Sequence, residues 1–224
     1  MAHATVPATF GARSGNQKVK ITLKGLAWTG IVSLAIGFVS KYVVFYYRHY
    51  DAASFDPYWP RRGWLFLHIN GGTLALLAGP FQFWTGLRQR NLRVHRWTGR
   101  VFLLGVAMGV VGATGLAITT TYGWAFGFGL IALACAWLVT TGMAYISIRK
   151  RLVELHKEWM IRAYVVTFAF VTFRILNDYG PTSRLQPAQD KLLTITWACW
   201  VVPLAVTELC FQLRRMRRTL AARH

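Results

Sequence analysis

The chain has 224 residues, 54% of them hydrophobic, with ten tryptophans and a formal net charge of +19. A basic balance of that size suggests a nucleic acid partner, but the bases lie in short clusters between long apolar runs, which excludes a basic nucleic-acid-binding domain and points to a membrane protein. Cys135, Cys199 and Cys210 all fall in apolar runs without CxxC spacing, which argues against a disulfide framework and a zinc site.

A spanning helix needs about 20 mostly apolar residues, and six stretches meet that length. A basic arm, residues 1–24, leads into the first, 25–47. That run is too long for a cleaved signal peptide and has no small-x-small exit. Its Lys41 is expected to snorkel outward. The Pro-bounded loop PYWPRRGW (57–64) follows, then the second span, 63–84. His68 lies about five residues inside it, ahead of Asn70, Gly71 and Gly72. The segment RVHRWTGR (93–100) precedes the third span, 98–119, and the fourth runs over 123–147. The segment ELHKEWMIR (154–162) leads into the fifth, 159–177, which carries Arg174 near its outer end. After the loop 177–191 comes the sixth, 192–213, where Glu208 is expected to pair with an arginine, and then a basic tail, 214–224. Glycines in the second, third and fourth spans predict close helix approach, and tryptophans at span ends mark interfaces. The expected fold is all-α: one polytopic bundle of six transmembrane helices over 25–213, flanked by the arm and the tail.

The charges orient the bundle. Clusters at Arg13–Lys24, Arg88–Arg100, Arg149–Arg162 and Arg214–Arg223 hold 19 of the 26 basic residues, all on one side of a six-span topology. The positive-inside rule makes that side, with both termini, cytoplasmic. These clusters are suited to lie against anionic lipid.

Two histidines stand at the feet of apolar runs on that side, His95 a few residues before the third span and His156 a few before the fifth. Imidazoles from two helices suit the two axial positions of a b-type haem. Arg96, Arg100 and Arg162 suit its propionates or a quinone head group. Gly99 and Met160 each share a face with the nearby histidine, and the glycine would leave room for a macrocycle. Another metal held by His95 and His156 is an alternative; so is a basic anchor that only grips lipid phosphate. His68 is too far along the bundle to join that pair. A titratable side chain at that depth is a functional candidate by default, and a second, outer site would combine it with Arg174 and either His49 or Asp178. The alternative there is a polar pair stitching helices together.

The segments HINGGTLALLAGPFQFWTGLRQRNLRVHRWTGRVFLLG and HKEWMIRAYVVTFAFVTFRI resemble a bacterial family of predicted membrane proteins, the domain of unknown function 2306. The resemblance covers roughly residues 60–180 and rests on His68, Gly79, Pro80, Gln82, His95, Arg96, Gly99, Arg100, His156, Met160, Arg162 and Arg174. It implies a membrane fold and no particular activity. HRWTGR also resembles the haem-ligand stretch of ferric reductases, and the six-helix plan is similar to that of two-haem b-type cytochromes. Those proteins draw four histidines from four consecutive helices. The fourth span here has none, so the histidine count allows one haem. Two functions follow: a haem b or quinone-linked redox protein, or a non-catalytic subunit or assembly factor of a larger membrane complex. Reporter fusions after Lys150 should read as cytoplasmic and fusions at Pro57 as external; an exported reporter after Lys150 would break this topology.

Overall fold

The computed structural model describes residues 14–88, 91–181 and 188–222. Arg13 with most of the N-terminal arm, Arg90, Arg184, Arg223 and the terminal histidines His3 and His224 lie outside them. Among the described residues there is no strand. The helices are α1 (Ser14–Phe38), a π-helical turn (Val39–Val43) continuing into α2 (Val44–Arg48), α3 (Arg62–Arg88), α4 (Leu92–Ile118), α5 (Trp124–Arg149), α6 (Val153–Thr167), α7 (Ala169–Asp178) and α8 (Ala188–Ala221). They supply six segments long and apolar enough to cross a membrane, as the hydropathy pattern predicts. The third and fifth begin earlier than expected. His95 and His156 sit in the first turns of α4 and α6, and their amides donate to the Asn91 and Leu152 carbonyls. Basic residues are good helix formers, so the helix starts ahead of the apolar run it carries.

Glycine decides the central contact. Gly105, Gly109 and Gly112 recur along one face of α4, and α3 meets that face backbone to backbone. A Cβ on Gly71 would lie 2.3 Å from the Gly109 nitrogen, and one on Gly112 2.4 Å from the His68 nitrogen. Lipid tails are as apolar as leucine, so close packing of this kind, rather than water exclusion, holds membrane helices together. The Trp137 ring of α5 fills the notch at Gly109, where a Cβ would come within 2.6 Å of it. Trp137 also donates to the Thr167 hydroxyl at 2.8 Å. Thr167 in turn donates to the Ala163 carbonyl of its own helix. Such back-bonding bends helices, and the fifth span breaks here into α6 and α7 where the sequence predicts one continuous helix.

Pro80 sits inside α3. Having no N–H, it leaves the carbonyl four residues back unpaired, a costly state in lipid. The Tyr164 hydroxyl of α6 donates to that carbonyl, on Leu76, at 3.0 Å. Gly79 makes room for the ring: a Cβ there would fall 2.0 Å from Tyr164 Cε2. Thus Gly79, Pro80 and Tyr164 form one joint between α3 and α6.

The segment between α2 and α3 folds over the end of the bundle far from the basic clusters. Phe55, fully buried, packs in it among Tyr46, Tyr50, Trp59 and Phe66. The Ser54 amide and hydroxyl both donate to the Asp51 carboxylate and hold its pKa below the usual value. Lys41 reaches the same end and donates to the Tyr179 hydroxyl at 2.8 Å.

Tyr164→Phe should destabilise the protein by about 1–3 kcal/mol, the cost of orphaning a buried carbonyl. Thermal unfolding in detergent measures it, and a variant as stable as the wild type would show that the Pro80 joint is not structural.

Candidate functional site

The sequence candidates fall at two ends of the bundle, separated along α3 by the 18 residues from His68 to Gly86, roughly 27 Å of helix.

At the basic end, α3, α4, α5 and α6 converge on His95 and His156. The His95 ring lies against α3, with Cε1 3.1 Å from where a Gly86 Cβ would be. Its Nδ1 is 3.1 Å from the Thr85 hydroxyl oxygen. Thr85 already donates its single proton to the Phe81 carbonyl at 2.7 Å, so the oxygen accepts and His95 Nδ1 carries the proton. His156 Nδ1 faces the Ala144 carbonyl at 2.8 Å. A carbonyl only accepts, so this Nδ1 is protonated too. Among the described residues neither Nε2 has a hydrogen-bond partner, and with Nδ1 as the donor the other nitrogen is the one available to a metal, the arrangement that outer hydrogen bonds impose on metal-ligating histidines.

The surrounding residues divide. Arg162 is buried and binds Glu208 through Nε and, at 3.0 Å, through Nη2; Glu158 lies 3.6 Å from its Nη1. The Trp159 and Phe211 rings flank its guanidinium. Glu208 is thus paired as the sequence suggests, and its partner, the predicted propionate ligand, is already occupied. Arg96 and Arg100 are exposed and make no ion pair among the described residues; Arg100 stacks on Trp97, 4.8 Å from the ring centre. The space beside Gly99 is filled by Gln82, whose Nε2 lies 3.4 Å from where a Cβ would stand. Gln82 donates to the His95 carbonyl at 2.7 Å and to the Thr98 hydroxyl. Gly99 therefore admits a helix tie rather than a macrocycle. Among the described residues no three of His, Cys, Asp and Glu are grouped to hold a metal ion. A haem needs only two protein ligands, because the porphyrin supplies four nitrogens, so the donor set fits haem better than a bare ion.

At the other end, His68 and Arg174 line one cavity of about 200 Å³, whose walls draw residues from α1 through α8. At roughly 10–15 Å³ per water centre, that is room for a small organic molecule. Its walls are mainly apolar, with Phe126, Trp137 and Phe170 among them and a few polar groups, Tyr42, Tyr46, Tyr58, Thr73 and Thr120, on the lining. His68 Nδ1 donates to the Gly109 carbonyl at 3.0 Å, and its ring packs against Phe170, 4.7 Å between centres. Among the described residues its Nε2 has no hydrogen-bond partner. Arg174 makes no ion pair there; its Nη2 is 3.4 Å from the Tyr46 hydroxyl, and it lies over the Tyr42 ring at 5.4 Å. Asp178 reaches the cavity wall indirectly, accepting a hydrogen bond from Tyr42. His49 stays outside, exposed and turned back on Phe45. Burial pushes the Tyr58 phenol up, so it remains a neutral hydroxyl.

The tyrosines are what sequence reasoning missed. In the sequence KYVVFYY is only the end of the first apolar span. The π-helical turn at Val39–Val43 changes the register, and Tyr42, Val43 and Tyr46 line the cavity instead.

The model of a family described as "Predicted membrane protein (DUF2306)" matches residues 65–211. No curated protein and no solved structure matches the chain.

If Arg162 is a structural anchor, Arg162→Met should destabilise by about 1–3 kcal/mol, and pairing it with Glu208→Met should recover much of that loss. A double-mutant cycle of unfolding midpoints checks this; purely additive effects would exclude the anchor role.

Proposed function

The chain belongs to the DUF2306 family of predicted membrane proteins, a multi-pass protein of the lipid bilayer, and from that premise we propose that it is a redox protein of the bacterial inner membrane, with a haem b held between His95 and His156 at the cytoplasmic end. The observation that carries the reading is the shared hydrogen bonding of the two rings: each Nδ1 faces an internal oxygen, of Thr85 or of Ala144, and neither Nε2 has a partner among the described residues. Haem b, when bound, supplies one-electron redox chemistry. His95 and His156 are the iron ligands in this reading, Thr85 and the Ala144 carbonyl fix their rings, and Arg96 and Arg100 are left for the anionic edge or for lipid phosphate. His68 and Arg174 belong to a separate site.

The second reading is a non-catalytic subunit or assembly factor of a larger membrane complex. It is favoured by Arg162, whose charge is spent on Glu208 and Glu158 within the bundle. An absorption spectrum of protein expressed with added haem separates the two. A Soret band lost in His95→Ala and in His156→Ala, but kept in Arg96→Gln, is expected. A colourless wild-type protein without bound transition metal would overturn the redox reading in favour of the second.

A further inference from the structure

The cavity at the far end has polar chemistry that selects its occupant. His68 Nδ1 donates to a carbonyl, so the neutral ring offers an acceptor at Nε2 and nothing to donate with there. Arg174, without an ion pair among the described residues, offers only donors. A fitting molecule therefore presents one O–H and one accepting oxygen. A fatty acid at neutral pH or a phosphodiester meets Arg174 but carries no proton for His68. The walls add a second criterion. Phe170 lies against His68, and Trp137 meets Phe170 edge to face at 5.3 Å between centres. Aromatic faces and edges in this arrangement favour a flat ring over a saturated chain. The π-helical turn that places Tyr42 and Val43 on the wall is a device common at functional sites.

We propose that the His68–Arg174 cavity binds a lipid-soluble aromatic diol of the quinol class, with one ring hydroxyl donating to His68 Nε2 and another ring oxygen accepting from Arg174. The site is independent of the haem reading, which concerns the opposite end of the bundle. Because Nε2 accepts, the reduced diol binds more tightly than the corresponding quinone, which has no proton to give.

The test uses the full chain purified in detergent, a short-tailed benzoquinol kept reduced under anaerobic conditions, and its quinone. Equilibrium dialysis gives the affinities. The wild type should bind the quinol at one site, about tenfold more tightly than the quinone, the value of one buried hydrogen bond. His68→Leu should abolish that preference, and Arg174→Gln should weaken both forms about tenfold. Ala113→Phe adds bulk on the cavity wall without removing a polar group and should remove binding, which keeps the proposal testable if His68→Leu fails to fold. Absence of saturable binding, equal affinity for the two forms in the wild type, unchanged binding in Ala113→Phe, or displacement of the quinol by a tighter-binding oleate would each overturn it.

Discussion

The contact between the backbones of α3 and α4 is the constraint on which the rest of the molecule depends. A Cβ on Gly71 would collide with the Gly109 backbone, and one on Gly112 with the His68 backbone. Every neighbouring feature uses that proximity. His68 reaches the Gly109 carbonyl across the seam. Trp137 enters the notch at Gly109 and, through Thr167, sets the bend between α6 and α7. At the basic end the same two helices are tied by Gln82 to the His95 carbonyl. In a bilayer, where burying apolar surface against protein gains little over burying it in lipid, such close packing is the main source of cohesion, and it fixes the geometry of both sites together.

The two ends handle charge differently. At the basic end the carboxylates Glu154, Glu158 and Glu208 are each matched to lysine or arginine, and Arg162 is enclosed by aromatic rings as well. Polar groups there bind helix to helix. At the far end Arg174 makes no ion pair among the described residues, and both it and His68 line the cavity. An ionisable group inside a membrane is costly and is normally paired or exposed to a cavity. The contrast is therefore informative: paired charge ties the helices together at the basic end, and the cation on the far cavity wall is the group that the proposed ligand would meet.

The joint at Pro80 belongs to the same economy of polar groups. Proline frees one carbonyl, glycine beside it admits a ring, and a tyrosine from another helix supplies the missing donor. Glycine, proline and tyrosine are separated by more than eighty residues, yet they act as one element.

The sequence alone determined the six spans, the location of the basic clusters at one end of the bundle, the glycine-rich faces and the identity of His68, His95, His156 and Arg174 as the residues to watch. These follow from transfer free energies and charge, which belong to each residue whatever its neighbours. Where helices begin was less legible, because the lysine- and arginine-rich turns before α4 and α6 are good helix formers and poor hydropathy signals. Only the tertiary structure decided the partners. It gave Arg162 to Glu208, filled the space beside Gly99 with Gln82, turned Tyr42 and Tyr46 onto a cavity wall, and set His68 and Arg174 on the same cavity. Those outcomes depend on the rotation and depth at which helices pack, to which residues as much as 138 positions apart contribute, and a hydropathy pattern read along one chain carries no term for that register.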